Sequence, residues 1–294
     1  MKIEPTYREK YASILRILSL LNYKISIEVT PEDVKDSPHS FKNLKNGTKV
    51  FISHLAKDSI VDSYEAAEHI SKYNLEIVPH ITVRRYKDFD DIHKTIENFR
   101  NISPIKNIFL LAGDDDQVAG TIEDTIQVLK SDLAESIRVD KIWISAYPDG
   151  HSSISEDKLY STLVEKIDLI RQKNIESGVI TQITFDIKKF VQWRKNLRDL
   201  KVLTDIRASC FFKTRKSYFL GLAKLIQSDS MQDYIDIFDT SSADEWLTYE
   251  EQIGEILFNL QKKSDTVGGL HFLSLGQLDY LTKTIKALFD DSTN

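Results

Sequence analysis

"KIWISAYPDGHSSISEDKLYSTLVEKIDLIRQKNIESGVITQITFD", residues 141–186, contains a complete strand–helix–strand unit. Its first run, 141–147, is apolar and rich in β-branched residues, and it breaks at Pro148, which cannot donate to a strand ladder. From 158 to 172, Leu159, Leu163, Ile167 and Ile170 recur at helical spacing, a stripe suited to covering the outside of a sheet. A second β-branched run, 178–186, follows. Two strands joined by a helix of this length are the repeating unit of a parallel α/β sheet.

The same alternation extends in both directions. Strand runs are predicted at 24–29, 49–55, 75–83, 106–113, 141–147, 178–186, 202–209 and 268–275, with helical segments between them. Eight such units in 294 residues, with no G-x-G-x-x-G after the first strand, predict a (β/α)8 TIM barrel over an open doubly wound sheet. "YREKYASILRILSLL" (7–21) adds an N-terminal helix, and a helix-rich stretch, 228–263, forms an insertion before the last strand. No Pro/Gly/Ser linker, low-complexity segment or short repeat marks a seam, so residues 1–294 are expected to form a single barrel domain.

Composition narrows the function. The net charge is −6 and no Lys/Arg-rich run occurs, so nucleic acid is not an expected partner. No window approaches the roughly 20 apolar residues of a membrane span, and the N-terminus intersperses charges among its apolar positions, unlike a signal peptide, which predicts a cytoplasmic protein. The single cysteine, Cys210, excludes an internal disulfide or a cysteine-based metal cluster. The sequence is compatible with a homo-oligomer.

In such a barrel, chemistry collects at the C-terminal ends of the strands. The polar residues there are Glu28, Ser53, His54, His80, the Gly113–Asp116 turn, Tyr147, Asp149, His151, Thr181, Gln182, Arg207, His271 and Ser274. Glu28 stands between Ile27 and Val29. Burying even a neutral polar group without a partner costs about 2–7 kcal/mol, so this carboxyl is expected to be protonated or paired, and a protonated carboxyl suits a general acid. No H-x-H, H-E-x-x-H or G-x-S-x-G occurs. The aspartates of "GDDDQ" (113–117) could hold a hard cation, which leaves a metal-dependent barrel hydrolase as an alternative.

Six motifs, in order, resemble those of the methylenetetrahydrofolate reductase family, flavin-dependent (β/α)8 enzymes of one-carbon metabolism. "SIEVTPE" is similar to the family's Ser-Phe-Glu-Phe-like strand, "VPHITV" to Ala-Pro-His-Leu-Thr and "LLAGD" to Leu-Arg-Gly-Asp. "AYPDGH" is similar to Ala-Tyr-Pro-Glu-x-His, "ITQITFD" to Ile-Thr-Gln-Phe-x-Phe-Asp and "LHFLSL" to His-Phe-Tyr-Thr-Leu.

The resemblance implies a protein of methionine biosynthesis that interconverts 5,10-methylenetetrahydrofolate and 5-methyltetrahydrofolate. FAD would be the cofactor and NADH or NADPH the electron donor. It implies that Glu28 is the general acid and Asp114 the carboxylate beside flavin and pterin. Gln182 and Tyr218 would bind the reduced folate, Tyr218 at a position where the family stacks a phenylalanine. Ser53, His54, His80, Gly113, Asp114, Ala146, Tyr147, His151 and Lys173 would line the flavin. The chain departs from the family pattern at Ala112 and Asn174, where basic residues are expected, and Arg84 and Arg85 offer substitute charge. A second expectation is therefore a flavin-free folate-binding barrel that needs a partner protein for catalysis.

Overall fold

The computed structural model describes residues 24–113, 115, 117–202, 204–226, 246–249, 252–256 and 268–290. Its strands are β1 (Lys24–Val29), β2 (Lys49–Ile52), β3 (Glu76–Thr82), β4 (Asn107–Leu111), β5 (Lys141–Ala146), β6 (Glu176–Thr181), β7 (Asp205–Cys210), β8 (Lys213–Arg215), β9 (Trp246–Thr248) and β10 (Gly269–Leu273). The helices are α1 (Pro31–Asp36), α2 (Ile60–Ile70), α3 (Phe89–Ile102), α4 (Thr125–Lys130), α5 (Leu133–Ser136), α6 (Glu156–Gln172), α7 (Ile187–Asp199), α8 (Lys216–Ile226) and α9 (Leu278–Asp290).

Strands β1 to β7 and β10 close into an all-parallel eight-stranded barrel, with β10 seated between β7 and β1. The expected (β/α)8 TIM barrel is the observed fold. The stripe predicted on α6 is the buried one, at Leu163, Ile167 and Ile170. Among the described residues, no helix is long and apolar enough to cross a membrane.

All eight predicted strands form, and the differences at their ends have local causes. The run expected to reach Leu55 stops at Ile52, because the Leu55 amide turns to the Asp58 carboxylate at 3.0 Å. The run expected at 178–186 starts at Glu176 and ends at Thr181. Beyond it, the Phe185 amide and the Thr184 hydroxyl both donate to Asp149 on the preceding loop, which pulls the chain out of the ladder. The predicted N-terminal helix lies outside the described residues, as does most of the stretch expected to be helical at 228–263. Within that stretch, residues 246–248 are a strand, paired antiparallel with β8. Their burial alternates, exposed at Trp246 and Thr248 and buried at Leu247, the period-two pattern of a ribbon lying on a core.

Alternate residues of each barrel strand point inward and stack in layers. At the N-terminal end, Lys49 pairs with Glu76, Asn107 donates to Glu76, and Lys141 lies 3.4 Å from Asp205. Arg207, expected near the site, belongs to this lower part. It is the third residue of β7, in register with Gly269 at the start of β10, and its guanidinium lies 4.7 Å from the centre of the Trp143 ring. Above it, Phe51, Val78, Phe109, Trp143 and Ile180 form a separate apolar cluster.

Trp143 is fully buried and donates its indole N–H to Asn107 at 3.0 Å. The indole occupies the space that a side chain on the neighbouring strand would need. A Cβ on Gly178 would lie 2.4 Å from Trp143 Cε3. Gly178→Ala should therefore overpack this layer and destabilise the protein by about 1–3 kcal/mol, read as a lower denaturation midpoint in urea. An unchanged midpoint would show that Trp143 has room to move.

Candidate active site at the C-terminal mouth of the barrel

The upper ends of the strands open into one cavity of about 1550 Å³, larger than the roughly 300–1,000 Å³ of ordinary small-molecule pockets. Glu28, Ser53, His54, His80, Gly113, Ala146, Tyr147, His151, Gln182 and Tyr218 all line it. These expected site residues, drawn from six strand ends and the start of α8, converge on a single space. Asp114 lies outside the described residues.

Glu28 is held by histidines from two other strands. His271 Nε2 donates to Glu28 Oε2 at 3.1 Å, and His80 Nε2 lies 3.4 Å from the same oxygen. On its far side, His271 Nδ1 accepts from the Ser26 hydroxyl at 2.9 Å, which fixes the ring. Burial alone would raise the Glu28 pKa, but the charge of His80 and the hydrogen bond from His271 outweigh it and hold the carboxyl well below the usual range. Of the two states expected for this carboxyl, protonated or paired, the structure has the paired one: Glu28 meets its burial with two histidine partners. His271 itself is fully buried, and that burial pushes its pKa below the ordinary value despite the neighbouring carboxylate.

Other polar atoms face the cavity without partners. Among the described residues, Ser53 Oγ and His54 Nδ1 are buried with no hydrogen-bond partner, a state that is costly unless a ligand or water supplies one. Burial, and then the nearby Arg85 guanidinium, lower the His54 pKa, which favours its neutral ring.

The loop after β5 is built to present its side chains. Asp149 accepts from Thr184 and from the Phe185 amide at 3.0 Å, which ties this loop to the one after β6. Tyr249 donates to the Thr184 carbonyl from beneath. Tyr147 and His151 meet edge to face at 5.4 Å, and His151 Nδ1 accepts from the Ser153 amide at 3.1 Å. Across the mouth, Gly113 has φ +102°, and a Cβ there would meet Thr82 Cγ2 at 2.5 Å, so this turn requires glycine.

The cationic residues are distributed differently from expectation. Lys173 sits past the C-terminal end of α6, far from the mouth, and pairs with Glu135 at 3.0 Å; it does not line the cavity. A helix that leaves the top of a barrel strand returns to the bottom, so its last residues cannot reach the site. Lys166, two turns earlier on α6, does line the cavity, and its burial lowers its pKa. Sequence reasoning missed it. The available signal was a lysine one turn beyond Leu163, beside the buried stripe. Arg84 and Arg85 line the mouth but are engaged: Arg84 Nε donates to the Glu123 carbonyl at 2.8 Å, Arg85 Nε to Asp115 at 2.7 Å and a second Arg85 nitrogen to the His54 carbonyl. Asp115 is thus committed to an ion pair, and among the described residues no group of three ligating side chains could hold a metal ion.

Several solved structures are similar to this chain to different degrees. An uncharacterized protein from Clostridium thermocellum, described as binding two copies of 5-methyl-5,6,7,8-tetrahydrofolic acid, superposes with a TM-score of 0.58 at 12% identity, over 94% of this chain and 100% of that one. The GH18 chitinase ChiB of Flavobacterium johnsoniae gives 0.49 at 9% identity, covering 92% and 94% of the two chains. Dihydropteroate synthase from Thermus thermophilus gives 0.48 at 7%, covering 91% and 94%. In sequence, the family description that matches is methylenetetrahydrofolate reductase, over residues 33–288, a span that runs from α1 to α9. A match of that extent, on a barrel whose strand ends carry the six motifs in order, places this chain in the methylenetetrahydrofolate reductase family.

Proposed function

We propose that this protein binds a reduced folate in the mouth of its barrel and interconverts 5,10-methylenetetrahydrofolate and 5-methyltetrahydrofolate. FAD would serve as cofactor and NADH or NADPH as electron donor. The observation that carries this reading is the Glu28 carboxylate, fixed by His271 and His80 at the floor of the cavity in a member of this family. The volume supports it too, since about 1550 Å³ leaves room for two medium-sized ligands side by side. The Clostridium thermocellum protein of similar fold, described as binding 5-methyl-5,6,7,8-tetrahydrofolic acid, supports a reduced folate as the ligand class.

In this reading Glu28 works as a proton carrier. As a carboxylate it accepts the proton released from the folate nitrogen when the five-membered ring closes, and it returns that proton when the ring opens. His271 and His80 keep the carboxylate aimed, and His271 is aimed in turn by Ser26. Asp114, next in sequence to Gly113, is assigned the second carboxylate role, favouring positive charge on the one-carbon unit. Gln182 and Tyr218 hold the folate.

The residues present fit FAD. Ser53 and His54 offer buried polar atoms without partners, His80, Gly113, Ala146, Tyr147 and His151 complete the wall, and Lys166 offers a half-buried ammonium for the diphosphate. FAD supplies hydride donor and acceptor chemistry when bound. A second reading, folate binding without flavin, is favoured by Ala112 and by the engagement of Arg84 and Arg85. The visible absorbance of purified protein titrated with FAD separates the two. A protein that binds 5-methyltetrahydrofolate and gains no flavin spectrum would leave only the second reading, and one that binds neither ligand would overturn both.

Two substitutions test the assignments. Glu28→Gln should lower folate turnover by about 10²–10⁴-fold while leaving flavin reduction by the nicotinamide donor near its original rate, as resolved by stopped flow. Equal losses in both half-reactions would make Glu28 structural. Lys166→Ala should weaken FAD binding by roughly tenfold, the loss of one charge-assisted contact, and Lys173→Ala should leave it unchanged. The reverse pattern, followed by flavin fluorescence, would restore Lys173 to the site.

A further inference from the structure

Tyr218 stands in the first turn of α8, where the family resemblance places a phenylalanine. It is partly exposed, lines the cavity, and lies over the backbone of the turn after β10: a Cβ on Gly276 would touch its ring at 3.6 Å. Among the described residues, no group hydrogen-bonds its hydroxyl. Four carboxylates surround the phenol electrostatically, and after burial they help push its pKa up to about 12, in the order Asp33, Glu32, Glu28 and Asp58.

Each of those carboxylates is already committed elsewhere. Asp33 Oδ2 accepts from the Thr30 amide, the Thr30 hydroxyl and the Ser274 hydroxyl at 2.9, 2.8 and 2.6 Å. Glu32 pairs with Lys57, Asp58 accepts from the Leu55 amide, and Glu28 is held by the two histidines. The tyrosine is therefore a hydrogen-bond donor over the Gly276 turn, at the edge of the cavity.

We propose that the Tyr218 hydroxyl donates a hydrogen bond to the ring system of the reduced folate, making Tyr218 a specificity residue whose role exceeds that of a stacking ring. The inference rests on the folate reading above. The same four carboxylates repel an anionic acceptor, so the group that meets Tyr218 is an uncharged ring nitrogen or carbonyl. The carboxylate tail of the folate then points to the opposite side of the mouth, toward Lys158 and Lys189.

Calorimetric titration of 5-methyltetrahydrofolate into wild type, Tyr218→Phe and Tyr218→Leu tests this. The Phe variant keeps the ring and loses only the donor, so it should bind about five- to tenfold more weakly than wild type. The Leu variant, which loses ring and donor, should bind more weakly still. Tyr218 is partly exposed, so neither change threatens the fold. Wild-type affinity in Tyr218→Phe, with a loss only in Tyr218→Leu, would overturn the proposal and leave the ring as the whole contribution. Failure of the wild type itself to bind the folate would overturn the functional reading, and this assignment with it.

Discussion

Closure of the barrel between its first and last strands is the constraint on which the site depends. β1 and β10 are separated by most of the chain, yet their parallel pairing sets Ser26 opposite His271 and Glu28 opposite Leu273. That register lets one imidazole accept from Ser26 and donate to Glu28. The approach is close: a Cβ on Gly269 would collide with the Lys24 carbonyl, so β10 begins where only glycine fits. A slip of one residue in this pairing would turn His271 away from the interior and leave Glu28 without its donor.

The strands were legible in the sequence because each is a short β-branched run and each helix carries a long-period stripe, patterns that depend on neighbours in the chain. Positions at the strand ends were legible for the same reason: once the strand is placed, its last inward residue is placed. Glu28, Ser53, His80 and Tyr147 follow directly. What sequence alone left open or misjudged are properties set by partners distant in the chain. The ionisation of Glu28 depends on His80 and on His271, the second 243 residues away, and no local pattern announces those pairings. Lys173 was misplaced and Lys166 overlooked because both sit on one helix, where height along the axis, not proximity in sequence, decides what reaches the mouth.

The site joins two kinds of construction. On the side of β1 and β10, polar groups are matched with one another: Thr30, Asp33 and Ser274 form one cluster, and Ser26, His271 and Glu28 form another. On the side of β2, Ser53 and His54 carry buried polar atoms left unmatched. The first half is preorganised by the protein alone, and the second leaves polar atoms open to the cavity. Such a division fits a site where proton movement must be fixed in space and a larger ligand must be recognised along its edge.

The layer around Trp143 carries a consequence for traffic. Below the histidines, Phe51, Val78, Phe109, Trp143 and Ile180 fill the barrel, and the network of Lys49, Glu76, Asn107 and Asp205 lies beneath them. The axis is a dead end. Whatever enters through the mouth leaves by the same door, so two reactants that need the same floor must take turns, the first vacating it before the second arrives. That closure rests on an indole wedged against a glycine, far from the mouth it governs.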